Sequence, residues 1–161
     1  MNTKLRKELD KQDPEELIRL ISEMATRFPI AKMYLTMEFG FEGKAIVEKY
    51  KKSILKEYFP TRGHGKARSS KVNRILREFS QIVAFQEDMV EMQLYQLEQA
   101  VLYYRSYHHD HEPFLNNLYK NWADYLQNAR QQGLLELHRP RLEQMFPAKF
   151  KSSWVDRKSV V

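Results

Sequence analysis

Apolar residues in this chain recur at intervals of three and four, the period of the α-helix, and nowhere alternate cleanly over a strand length. The pattern predicts about eight helices. A short first helix is expected from Thr3 to about Lys11. Asp13-Pro14-Glu15-Glu16 then starts a second, with Asp13 as cap, Pro14 at the first helical position and Glu16 completing a capping box. Leu17, Leu20, Ile21, Met24 and Phe28 form its apolar face, and Pro29 opens a third helix striped by Ile30, Met33, Tyr34 and Met37.

Gly40 and Gly43 bracket a turn. A fourth helix follows from about Lys44 to Phe59, ended by Pro60, and a fifth capped by Ser69 or Ser70 carries Val72, Ile75, Leu76, Phe79 and Ile82. The sixth, from about Glu87 to Tyr107, has a seam of Val90, Leu94, Leu97, Val101 and Tyr104. Met92, Tyr95 and Leu102 widen that seam, which predicts neighbours on two sides. Pro113 opens a seventh helix ending at Gly133, and an eighth spans about Leu134 to Phe146, with Pro140 able to delay or kink it.

Short connections favour antiparallel neighbours. The expected fold is therefore all-α: an irregular helical bundle, or a short solenoid-like stack of antiparallel helical hairpins. Residues 1–147 read as one helical domain and 148–161 as a weakly structured tail. The expected core includes Leu17, Leu20, Ile21, Met24, Ile54, Leu76, Phe79, Leu94, Leu97, Val101, Leu118 and Trp122.

Composition removes several classes of function. A chain with nine Tyr, nine Phe and two Trp is too rich in aromatics for disorder. The absence of cysteine excludes disulfides, thiolate metal sites and cysteine catalysis. The start of the chain lacks the apolar run of a signal peptide, and no stretch approaches a membrane span, so a cytoplasmic protein without membrane contact is expected. The net charge of +6 is unevenly spread: residues 60–80 carry +5 and residues 81–136 carry −5. Such segregation steers partners.

Several segments resemble one known family. They are Lys4-Leu5-Arg6-Lys7-Glu8-Leu9, Glu16-Leu17-Ile18-x-Leu20-Ile21, Lys49-Tyr50-Lys51-Lys52-Ser53-Ile54 with Tyr58-Phe59-Pro60, Arg62-Gly63-x-Gly65-Lys66-Ala67-Arg68, Ile75 with Phe79, and Asp110-x-Glu112-Pro113-Phe114. Over roughly residues 3–146 the chain is similar to a family of small bacterial proteins known only as a domain of unknown function. The resemblance implies an all-helical single domain and carries over no activity or catalytic residue. His108-His109 occupy a stretch where Gly and acidic residues are expected, and the tail after Phe146 does not match clearly.

Two constellations bear on chemistry. Arg62, Gly63, Gly65, Lys66, Arg68, Lys71, Arg74 and Arg77 form a candidate anion site, in which the glycines admit a phosphate close to the backbone and a helix N-terminus adds donors. The segment fails the P-loop pattern, since Ala67 stands where Ser or Thr belongs and no strand precedes it. The alternative is a solvated loop and helix face. His108, His109, Asp110, His111 and Glu112 are the densest set of metal-ligand types, weighed against a polar connecting loop at the start of the next helix.

The tyrosines and Trp122 fit core or core-edge positions better than a pocket lining. No His-Glu-x-x-His, di-iron Glu-x-x-His pair or serine nucleophile elbow occurs. Catalysis is thus unsupported, and no cofactor is implied. The leading expectation is a non-catalytic interaction or scaffold protein with a macromolecular partner. The alternatives are a phosphate- or nucleic-acid-binding protein using 62–77, a self-associating chain whose basic segment meets the acidic 81–136 face of another copy, and a metal-dependent enzyme using 108–112.

Overall fold

Helix α6 (Gln86–Tyr107), the longest of the described helices, is enclosed by four others. The computed structural model describes residues 3–41 and 43–145. Around α6 stand α4 (Gly43–Tyr58), α5 (Ser69–Ser80), α7 (Glu112–Gln131) and α8 (Leu135–Met145). Before them come α1 (Thr3–Leu9), α2 (Pro14–Arg27) and α3 (Pro29–Glu38). Among the described residues there is no strand, and the protein is an all-α bundle.

The sequence of α6 explains its place. Its apolar residues are not confined to one stripe, and Val90, Met92, Leu94, Leu97, Ala100 and Val101 are all buried. A helix apolar on several sides must be covered on several sides. Tyr58 on α4 meets Gln96, and Lys51 one end earlier meets Glu91, so α4 and α6 run parallel. On α7, Asn121 meets Gln96 and Asn128 meets Gln93, so α7 returns antiparallel. Between α4 and α6, α5 passes antiparallel to α4, with Phe79 against Tyr50 at one end and Arg68 against Glu57 at the other.

Charge fastens α8. Arg141 donates to Glu98 Oε1 at 2.7 Å and Oε2 at 2.9 Å, and to Glu91 Oε2 at 2.6 Å. The hydrogen bonds to Glu98, together with those to Glu91, raise the Arg141 pKa above its ordinary value. His138, also on α8, is buried with Nδ1 3.0 Å from the Tyr125 hydroxyl. Burial lowers its pKa below the ordinary imidazole value. Pro140 lies inside α8, which runs through it rather than starting after it.

Local signals account for most boundaries. Asp13 accepts from the Glu16 N–H at 2.8 Å, but the Glu16 carboxylate turns to Arg19 instead of closing the box. Gly133 adopts φ 69° after α7, the left-handed turn a helix end favours. At α5 the expected serine cap is absent. Arg68 holds the cap position without a side-chain cap bond, and Ser69 is already helical.

The N-terminal hairpin departs most from expectation. Ile54, Phe79, Leu94, Leu97, Val101 and Leu118 are buried and Leu76 and Trp122 pack at the core edge, as expected. Ile21 and Met24, expected in the core, are 47% and 52% exposed, and Leu17 and Leu20, expected there too, are only half-buried and lie outside the core cluster. The amphipathic α2 buries no residue fully, and only α3 packs extensively against it. Periodicity identified a face that requires cover, and no described helix supplies it. Leu97→Ala is expected to lower unfolding free energy by about 2–5 kcal/mol, whereas Leu137→Ala at an exposed site on α8 should stay within about 0.5 kcal/mol. Urea unfolding of both variants checks the contrast.

Candidate functional site

Glu57 organises the basic segment, and it does so from inside. It follows Tyr50 and Ile54 on the buried side of α4 and is 4% exposed. Its carbonyl accepts the Lys66 and Ala67 N–H groups, each at 3.1 Å. Its carboxylate accepts the Arg68 N–H at 3.2 Å, Arg68 Nε at 2.7 Å and a second guanidinium nitrogen at 3.1 Å. Lys71 Nζ lies 3.1 Å from Oε2, the oxygen that also accepts the second guanidinium nitrogen. Burial alone would raise the Glu57 pKa, but these charge-assisted bonds prevail and bring it down to about 2.

The rest of the loop is fitted to this clamp. Tyr103 donates its hydroxyl to the Gly65 carbonyl at 2.9 Å. A Cβ at Gly65 would collide with the Tyr58 carbonyl, so this glycine serves close backbone packing. Gly65, expected to open the loop to a phosphate, here approaches the chain's own backbone. Gly63, at φ 74°, has open space around it. Ala67, buried at φ 45°, occupies a left-handed conformation costing about 1 kcal/mol, which its bond to Glu57 helps to hold.

The cations of the segment therefore differ in kind. Arg68 and Lys71 neutralise Glu57 yet remain half exposed. Arg74 lies 3.6 Å from Glu78 on the surface. Arg62, Lys66 and Arg77 have no ion pair among the described residues. Arg68, Ser70, Lys71 and Arg74 line one open depression. Six cations thus face two carboxylates, Glu57 and Glu78, and the local charge is weaker than the count within the segment implied.

The second constellation divides at a corner. His108 ends α6 in a left-handed conformation, φ 50° and ψ 47°, and His111 takes the cap position of α7. The His109 ring packs on Phe114 at 5.2 Å and Tyr103 at 5.5 Å between centroids. Asp110 hydrogen-bonds Tyr104 and raises its pKa. Glu112 stands in the first turn of α7. His109 and His111 are the nearest pair, 5.8 Å between ring centroids. Among the described residues no group of three or more His, Cys, Asp or Glu could hold a metal ion. Neighbours in sequence at a sharp corner present their side chains in different directions, which is why this cluster does not converge.

Two further features were not singled out in the sequence. One is a buried polar chain: Asn121 Nδ2 donates to Gln96 Oε1 at 3.2 Å, and Gln96 Nε2 to the Tyr58 hydroxyl at 2.9 Å. Burial pushes the Tyr58 pKa up to about 12, so the phenol stays protonated. Gln96 and Asn121 also floor a cleft of about 290 Å³ between α5, α6 and α7. The other feature is the N-terminal hairpin, where Ile18, Ile21, Met24, Phe28, Ile30 and Tyr34 are all exposed. The signal for Glu57 was its register with Tyr50 and Ile54. The signal for the hairpin was the strength of its apolar stripes, which were assigned to the core.

The match to a family model covers residues 1–160. This chain belongs to DUF6155, a family of unknown function. The DUF6155 match runs past residue 146, where the resemblance had stopped, and takes in most of the tail. The tail lies outside the described residues. No curated protein and no solved structure matches the chain. No described helix is long and apolar enough to cross a membrane.

The clamp predicts a pH dependence. Glu57 has a folded pKa near 2 against an ordinary 4.5, so its stabilisation is complete above the ordinary value and is lost as pH falls towards 2. The shift corresponds to about 3 kcal/mol at neutral pH. Glu57→Gln should be destabilised near neutrality and lose less stability than the parent between about pH 5 and 2. Urea unfolding across that range reads both, and parallel pH profiles for the two proteins would remove Glu57 from this role.

Proposed function

We propose that this protein is a non-catalytic helical interaction protein that binds a macromolecular partner through the α2–α3 hairpin. The carrying observation is the exposed apolar side of that hairpin. Monomeric proteins rarely leave large contiguous apolar surface in water, and where they do it commonly meets another macromolecule. The core supports this reading, because Ile54, Phe79, Leu94 and Tyr125 of the α4–α8 bundle are at 0% exposure and α3 adds to them only Met37 and the edge residue Met33, leaving the exposed apolar residues of α2 and α3 outside the core.

A second reading is supported by the basic depression at the start of α5. Arg68, Ser70, Lys71 and Arg74 line it, and Arg77 and Lys66 extend the charge. Polyanion contact there would be weak in base preference and strongly salt-dependent. Charge reversal must spare Arg68 and Lys71, because they hold Glu57, so the informative variant changes Lys66, Arg74 and Arg77 to Glu.

A photo-cross-linking residue placed in cells at Phe28, and separately at Arg77, tests both readings. Position 28 is expected to capture a protein and position 77 little. Capture confined to position 77, together with salt-sensitive nucleic-acid binding that the triple Glu variant abolishes, would favour the second reading. No adduct at position 28 would overturn the first.

A further inference from the structure

The apolar side of the hairpin, we infer, is a homodimer surface: its occupant is the same hairpin of a second copy of this chain. The inference rests on the partner-binding reading above and specifies the partner. Area supplies the first argument. Between residues 18 and 41, eight large apolar side chains are 41–69% exposed. At about 100 Å² of exposed surface for each, they offer roughly 800 Å², the share one protein contributes to a standard stable interface.

Charge supplies the second. Recognition of a foreign partner usually leaves a charge signature that the partner complements. The hairpin has none. Residues 14–38 contain three basic and four acidic side chains. On α2 these are mostly paired within the helix, Arg19 with Glu16 and Glu23, and Arg27 with Glu23. A surface with so little net charge meets its own copy without repulsion. The basic 62–77 segment could not do the same.

Geometry supplies the third. A two-fold axis places identical patches together, so the patch must suit itself. Two copies of the α2–α3 pair meeting on their apolar sides bring four helices together around a shared apolar core. Ile21 and Met24 lie on one side of α2, Phe28 follows at its C-cap, and Ile30 and Tyr34 lie one turn apart on α3, all five exposed. In the isolated chain α2 buries no residue, although its two sides differ sharply in polarity. Pairing with a second hairpin removes that mismatch.

Sedimentation equilibrium of the full chain at micromolar concentrations reads the assembly. The expected mass is twice the 19.4 kDa of one chain, unchanged by added salt, because the contact is apolar. The Ile21→Glu/Phe28→Glu variant should keep the parent's circular dichroism and weaken the dimer by about a hundredfold or more. Because the chain has no cysteine, a single cysteine placed in turn at Ile21, Met24 and Phe28 gives an independent reading. At least one should cross-link to its own copy through a short bis-maleimide, and a control cysteine at Leu102 on α6 should not.

A monomer at every concentration overturns the inference. So does a dimer that the double variant leaves intact, or one that moderate salt dissolves, which would assign the contact to the charged surfaces. A purified chain that stays monomeric while position 28 captures a different protein in cells would overturn the dimer and leave the partner-binding reading standing.

Discussion

Enclosure of α6 is the constraint on which the rest of the fold depends. A 22-residue helix with apolar side chains on several sides cannot be stable beside one neighbour. It takes α4, α5, α7 and α8 to cover it. The polar groups that fix how these helices meet are buried amides at the centre and a partly buried charge cluster at α8. Gln96 links α6 to Tyr58 on α4 and Asn121 on α7, while Arg141 ties α8 to Glu91 and Glu98. Buried amides and charges are tolerated only when paired, so each such contact also specifies a register.

Glu57 extends the same logic to the loop before α5. A carboxylate placed on the inner side of α4 must be met by cations, and the end of the loop brings Arg68 to it and the first turn of α5 brings Lys71. The basic segment thereby has a structural role in two of its six cations, with the others left to the surface. This division matters for any account of anion binding, because Arg62, Lys66 and Arg77, together with Arg74 in its surface pair with Glu78, are the charges that do not hold Glu57.

Much of this was legible in the chain. Helical periodicity located eight elements, and Asp13, Pro29 and Gly133 marked ends by mechanisms that act within one helical turn. Glu57 was not legible as a clamp, because its pairing crosses from one helix to the next and leaves no local pattern beyond its alignment with Tyr50 and Ile54. The hairpin was misassigned for a different reason. The stripe of Ile21 and Met24 correctly declared an apolar surface, but periodicity does not say whether the covering surface lies in the same molecule. The histidines around Asp110 illustrate the converse: residues close in sequence were divided by the left-handed corner at His108.

The structure is a bundle built on α6 with an N-terminal helix pair whose apolar side no described helix covers, and the proposal is that it is completed from outside the chain. Amide hydrogen exchange over a series of protein concentrations tests that account most directly. The account predicts that α6 is strongly protected at every concentration, whereas protection of α2 is slight in dilute solution and rises as concentration increases. Amides of α2 as well protected as those of α6 at the lowest concentration would contradict it, because the hairpin would then be complete within a single chain.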